Sequence, residues 1–428
     1  MSEWREIRLG DLCEYVTVGH VGKMTDQYCD DGVIFFRSQD VHPFSLSLIS
    51  AAHINPAFHQ KLHKSSLQAG DVVVVRTGYP GTAAVMPPGI GEANCADLVI
   101  IRPGPDLDGR VVAGYFNSAF GRLVVGGRLV GAAQQHFNVR VAAELRVCLP
   151  DRVGQSKIGD LLDSFNELIQ NNRRRIEILD ETARSLYREW FVRYRFPGHE
   201  STQFMESPLG VIPGEWAIGS LSQLAELQRV NISPTRFPDE VFAHCSIPAF
   251  DAGQTPVLER GSAIKSGKYL ISGQVVLVSK LNPRIRRVWL TTPNPDYRMI
   301  CSTEFLPLVT IARPWTAFLY GLATSELFAT AIVSLAGGTS TSHQRAKPND
   351  FFALPVVIPD ERSAFAYGAR AMPMLETAEA LRAHNRVIAA ARDLLLPKLV
   401  TGKIDVDSLG VDDVFGWAEL AEAGAGSA

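Results

Sequence analysis

Residues 154–192 read GQSKIGDLLDSFNELIQNNRRRIEILDETARSLYREWFV, and this stretch decides the architecture. It holds no proline and no cluster of turn residues. Its apolar positions are Ile158, Leu162, Phe165, Ile169, Ile176, Leu179, Ala183, Leu186 and Trp190, with Asn172 filling the one gap. The steps alternate between four and three residues, which is the seam of a coiled coil. At 1.5 Å per residue the seam from Ile158 to Trp190 runs roughly 50 Å.

A second stretch near the end repeats the pattern more loosely. Met374, Ala378, Leu381, Asn385 and Ile388 keep the alternation; Ala391, Leu395 and Leu399 follow less regularly. Pro373 suits the first turn of such a helix, and Pro397 and Gly402 suit its end. Each seam carries one asparagine followed by arginine. A buried seam asparagine fixes register and partner choice at a cost in stability. If the helices pair antiparallel, Asn172 and Asn385 meet near the midpoints and hydrogen-bond across the seam. The other reading is two solvated asparagines on a loosened helix.

Outward from the helices, the chain repeats itself. Trp4, Leu9, Leu12 and Glu14 match Trp216, Leu221, Leu224 and Glu226 as W-x4-L-x2-L-x-E. Gly70 precedes DVVVVR, and Gly273 precedes QVVLVSK. CADLVIIRP (95–103) is matched by CSTEFLPLV (301–309), and RVCLPD ending at Asp151 by PVVIPD ending at Asp360. The order is the same in both halves. The expected fold is α/β, with two mixed α+β heads joined by two long helices in an antiparallel coiled coil. The expected boundaries are a head at 1–151, a helix at 152–195, a Pro/Gly/Ser-punctuated linker at 196–213, a head at 214–360, a helix at 361–406 and a low-complexity tail at 407–428.

Length and composition agree with a multidomain globular chain: 428 residues, 46% hydrophobic and 20% charged. No run of eighteen or more apolar residues occurs, and the N-terminus lacks the pattern of a signal peptide, so the cytoplasm is the expected location. The six cysteines form no CxxC pair and read as buried reduced thiols, with a metal site as the lesser reading. Net charge is −3, without the basic excess usual in a nucleic-acid binder. One basic face on a neutral protein is nevertheless enough to bind phosphate, and basic clusters occur at Arg173, Arg174 and Arg175 and from Lys280 to Arg287.

Catalytic signatures are missing from the sequence. GSAIKSGKYL (261–270) has the wrong spacing for a phosphate loop and no hydroxyl after its lysine. No G-x-G-x-x-G opens a helix after a strand, and no Asp/Asn-Pro-Pro-aromatic run, HExxH or G-x-S-x-G occurs. His53, His59 and His63 are the closest histidine group; His59 and His63 would share a helix face, but no third metal ligand is evident.

NNRRRIEILDETARSLYREWFV (171–192) resembles the central conserved helix of type I restriction–modification specificity subunits, and NRVIAAARDLLLPKLVTGKIDV (385–406) resembles their distal conserved helix. The resemblance covers nearly the whole chain and is strongest in the helices. It implies that each head is a target recognition domain reading one half of a bipartite, asymmetric site in double-stranded DNA, with the helices as spacer. It further implies two modification subunits, which bind S-adenosylmethionine and methylate adenine, and restriction subunits that use ATP and magnesium. This chain would hold no cofactor and no catalytic residue. Half-sites on one face of B-DNA lie about 34 Å apart per turn, within reach of such a spacer.

Candidate DNA contacts in the first head are Arg37, Ser38 and Gln39; Arg76 and Thr77 of the glycine-rich RTGYPG turn; and Gln134, Gln135, His136, Asn138 and Arg140 of GAAQQHFNVR (131–140). The second head offers Lys280, Asn282, Arg284, Arg286 and Arg287 at the position of the Arg76 loop. At the position of the glutamine loop it offers Thr341, Ser342, His343, Gln344, Arg345 and Lys347. Gln and Asn suit adenine and Arg suits guanine, while Arg284, Arg286, Arg287, Arg345 and Lys347 are expected to bear mostly on phosphate. Each side chain also reads as an ordinary solvated loop residue, and Arg173–Arg175 read as facing DNA or a modification subunit or as a solvated helix face. Two other readings of the whole stay open: a structural adaptor whose heads bind protein or glycan, and a fragment of a fused restriction–methylation enzyme. Trp190 and Phe191 are expected to face partner subunits and to leave the isolated chain prone to aggregate.

Overall fold

The computed structural model describes residues 4–129, 137–335 and 344–404. The chain divides into two compact units. One joins the residues up to Ile169 with those from Val387 onward; the other is Gln170–Arg386. Each unit thus takes one head and a part of each long helix.

In the first unit Val72–Val75 is apolar throughout because both of its faces are covered. It lies in a four-stranded antiparallel sheet ordered Ala83–Val85, Val72–Val75, Leu98–Pro103, Cys13–Val18. Val72, Val74, Val99 and Ile101 face a helical layer that includes Gly109–Asn117. Val73, Val75, Leu98 and Ile100 face Phe36, Ala93 and Cys95 of a five-stranded sheet. That sheet runs Tyr28–Cys29, Ala52–Ile54, Val33–Phe36, Ala93–Cys95, Ser66–Leu67, with a parallel pair in Val33–Phe36 and Ala93–Cys95.

The second unit repeats the plan. Its four-stranded sheet runs Val288–Thr291, Val275–Ser279, Phe305–Thr310, Ala225–Leu227. In its five-stranded sheet Val257–Arg260, Val241–Cys245, Arg298–Ser302 and Lys268–Ile271 keep the order and directions of the first head. Only the fifth strand differs: Tyr28–Cys29 joins one edge in the first head, and Asn231–Ile232 joins the opposite edge in the second. Each head is closed by pairing its ends, Arg5–Arg8 with Arg146–Leu149 and Ala217–Ser220 with Pro355–Ile358. The segments 95–103 and 301–309 are not single strands. In each, the chain crosses from the five-stranded to the four-stranded sheet at an acidic residue, Asp97 or Glu304.

The aspartate of each Pro-Asp pair caps a long helix: Asp151 Oδ1 accepts from Gly154 N at 2.8 Å and Asp360 Oδ1 from Ser363 N at 2.9 Å. The helices are Arg152–Tyr187 and Glu361–Leu399. Within the first unit Ile158, Leu162, Phe165 and Ile169 pack with Ile388, Ala391, Leu395 and Leu399. Within the second, Ile176 packs with Ala378 and Leu381. There Asn172 meets Asn385, Asp180 meets Arg382, and the Ala183 carbonyl accepts from Tyr367 Oη. Position rises on one helix as it falls on the other, so the pair is antiparallel.

Three expectations are corrected. Pro373 is not in a first helical turn: the second helix begins at Glu361, the expected boundary, so Pro373 lies inside it, and it continues through Pro397. Ala364, Tyr367, Ala371 and Leu375 are buried in the core of their unit, and that burial outweighs one missing N–H. Trp190 and Phe191 are buried, not exposed: a single π-turn at Arg188–Val192 swings Phe191 to 4.8 Å from Phe318. The stretch at 196–213 is not a bare linker, since Phe204–Ser207 and Gly210–Pro213 form a hairpin, with Gly210 at φ +97°. Among the described residues no single helix is long and apolar enough to cross a membrane.

Candidate nucleic-acid interface

Register fixes which loop residues of the two heads are equivalent. Leu98 pairs with Val75 in the first head and Phe305 with Ser279 in the second. The residue after each inner strand is therefore Arg76 or Lys280, and the residue before each partner strand is Asp97 or Glu304.

The structure brings the two candidate loops of each head together by one shared hydrogen bond. Phe137 N donates to the Arg76 carbonyl at 3.4 Å, and Ala346 N donates to the Lys280 carbonyl at 3.1 Å. Phe137 and Ala346 are both buried, so each returning loop is anchored by an apolar residue. The second head adds a bond from Asn282 N to the Gln344 carbonyl at 2.9 Å and a bridge between Leu281 and Arg345. Asn282 holds a left-handed φ of +48°, and its buried Oδ1 has no partner among the described residues.

The arginines divide sharply by what they touch. Arg76 donates from Nε to the Phe137 carbonyl at 3.0 Å and from Nη1 to Asp97. Arg345 makes a bidentate pair with Glu304 at 3.0 and 2.9 Å, which raises its already high pKa. Arg286 bonds the Thr324 carbonyl and Glu326, and holds the Glu326 carboxyl below its usual range. Arg287, expected at phosphate, is only 9% exposed and faces Asp251 in a bidentate pair, so its charge is consumed inside the head. Arg284 is exposed and carries no ion pair among the described residues; Lys347 is exposed at the start of the helix Pro348–Phe352.

The remaining candidates are placed as follows. Arg37 bonds Asp40 and the Ser50 carbonyl, while Ser38 and Gln39 sit on a short 3-10 turn. Thr77 is half-buried beside Arg76. Asn138 caps the helix Val139–Glu144 by accepting from Val141 N, and Arg140 pairs with Glu144 along the helix surface. Gln134, Gln135, His136, Thr341, Ser342 and His343 lie outside the described residues. His59, weighed for metal, is buried with Nδ1 at 3.3 Å from Asn94 Nδ2. Sequence reasoning missed Asp97 and Glu304, although both lie inside the duplicated segments. It also missed Tyr79 (86% exposed) and Ile285 (51% exposed), which project from the two hairpin turns.

Two α/β heads built on one plan, each packed with a stretch of an antiparallel helix pair, define a duplicated two-headed scaffold. The comparisons show what it is similar to. The specificity subunit of the type I restriction enzyme MjaIX from Methanocaldococcus jannaschii is 21% identical over 278 residues, which are 62% of this chain and 62% of that protein. The MjaVIII specificity subunit of the same organism is 24% identical over 98 residues, 23% of this chain and 22% of that one. The matched regions thus span less than two thirds of either relative. A crystal structure of a type I restriction–modification S subunit from M. genitalium superposes with a TM-score of 0.57 at 12% identity, covering 93% of this chain and 96% of that one. That likeness is one of fold. No family model matches. The chain is thus similar in sequence and in fold to type I specificity subunits, as its two helices imply.

Proposed function

We propose that this chain is the DNA-specificity subunit of a type I restriction–modification system. Each head reads one half of a bipartite, asymmetric site. The observation that carries this is the repeated bond from Phe137 to Arg76 and from Ala346 to Lys280. It ties a returning segment to the end of the inner strand at the same place in both heads, and the side chains at those places differ: Arg76 in one, Lys280 and Arg345 in the other. Divergent copies of one surface suit an asymmetric site, because direct readout depends on which donors and acceptors face the groove. Two modification subunits and restriction subunits are its partners, S-adenosylmethionine, ATP and magnesium belong to them, and the cytoplasm is its compartment. This chain supplies recognition without catalysis. The adaptor reading is not favoured, since the curated relatives are named specificity subunits.

Adenine-methylation mapping in cells expressing the chain with its modification subunit tests this. A split, asymmetric motif is expected, lost when the chain is omitted and altered in one half when one head is exchanged. An active methyltransferase whose motif ignores this chain overturns the reading.

A further inference from the structure

The two heads place a carboxylate at one equivalent position, and in both it holds an arginine. Asp97 precedes Leu98–Pro103 and Glu304 precedes Phe305–Thr310, the strands that pair with the inner strand of each four-stranded sheet. The arginines come from different places. Asp97 holds Arg76, which leaves the inner strand; Glu304 holds Arg345, which arrives on the returning loop. Position Arg76 is Lys280 in the second head, so the guanidinium has changed loops while the carboxylate has kept its place. Two chance surface ion pairs have no reason to converge in this way.

The geometry also says what is left free. Arg76 has Nε on the Phe137 carbonyl and Nη1 on Asp97; Arg345 has Nε and Nη2 on Glu304. In each case Nε and one terminal nitrogen are engaged. Nη2 of Arg76 and Nη1 of Arg345 have no partner among the described residues, so each guanidinium keeps donors at its outer end. Arg345 is clamped along its Nε/Nη2 side and Arg76 is held at Nε and, across the group, at Nη1; a guanidinium so fixed can still give hydrogen bonds from its remaining N–H groups to O6 and N7 of guanine. The clamp removes rotamer freedom that binding would otherwise have to freeze. A carboxylate next to DNA repels phosphate, so it weakens affinity unless it aims something.

We infer that Asp97 and Glu304 are positioning residues that aim Arg76 and Arg345 each at a guanine, one in each half of the bipartite site. This rests on the DNA-reading function proposed above. It also reassigns Arg345 from phosphate to base.

The full chain, in complex with its modification subunits, is used to select from a random duplex library, and base preferences are compared among wild type, Asp97→Asn, Glu304→Gln, Arg76→Lys and Arg345→Lys. Asp97→Asn and Arg76→Lys are expected to lose the same guanine in one half-site, by about tenfold in discrimination, and Glu304→Gln and Arg345→Lys one guanine in the other half. Affinity for non-specific duplex should stay level or rise in Asp97→Asn and Glu304→Gln, because a negative charge is removed; a merely structural role would lower it. A wild-type motif that Asp97→Asn and Glu304→Gln leave unchanged, or weaken evenly in both halves, overturns the inference alone. A wild-type complex that selects no bipartite motif overturns the reading beneath it and the inference together.

Discussion

Asn172 donates from Nδ2 to Asn385 Oδ1 at 2.9 Å, with Asn172 only 2% exposed, inside the seam of the antiparallel helices. The bond falls where an otherwise apolar pattern is interrupted on both strands of the seam, so one polar pair satisfies what neither leucine-rich neighbour can.

Replacing Asn385 by leucine removes the acceptor of Asn172 Nδ2 inside the seam, a loss of about 1–3 kcal/mol. The double variant Asn172→Leu/Asn385→Leu should recover most of that loss, giving strongly non-additive melting temperatures. Additive shifts would show that the pair is not coupled.

Glu379 supplies a pH prediction. It is half-buried, and loss of solvent pushes its carboxyl up to about 7 in spite of Arg382, whose Nη1 donates to it at 2.7 Å while Nη2 bonds Asp180. A group whose folded pKa is raised contributes stability below its unfolded pKa and loses it as pH rises through the folded value. Thermal stability should therefore fall between about pH 4.5 and pH 7. Glu379→Gln should flatten that slope in melting curves taken across the interval; an unchanged slope would assign it to other groups.

Arg110 anchors the first head to the start of its long helix. It bonds Asp108 at 3.0 and 2.9 Å, Asp160 at 2.6 Å and Asp163 at 2.9 Å. Asp108 is 7% exposed and would keep only Arg152 and a backbone N–H. Arg110→Ala should cost about 3 kcal/mol by leaving a buried carboxylate poorly compensated, measured by urea unfolding of the full chain.

Arg284 and Arg287 are close in sequence and opposite in expected effect. Arg284→Ala should leave melting unchanged and make the salt dependence of DNA binding shallower by about one unit of slope. Arg287→Ala should leave the slope alone and lower stability, because Asp251 loses its bidentate partner. Equal slopes for wild type and Arg284→Ala would remove that residue from the phosphate contacts.

The sequence by itself determined the duplication, both long helices and their asparagines, and the two loops of each head. These are local or periodic signals: heptad spacing, a four-valine run, glycine turns and Pro-Asp caps are set by residues close along the chain. Tertiary structure decided the rest. Pro373 reads as a helix start until Tyr367 and Ala371 are seen buried before it, and Trp190 and Phe191 read as a sticky surface until the π-turn folds them inward. Arg287 and Arg284 are indistinguishable as letters, and only the approach of Asp251 separates a core charge from a free one. Asp97 and Glu304 likewise gain meaning only when sheet register aligns them. Burial and ion pairing depend on residues distant in sequence, and periodicity carries no information about which of those come together in space.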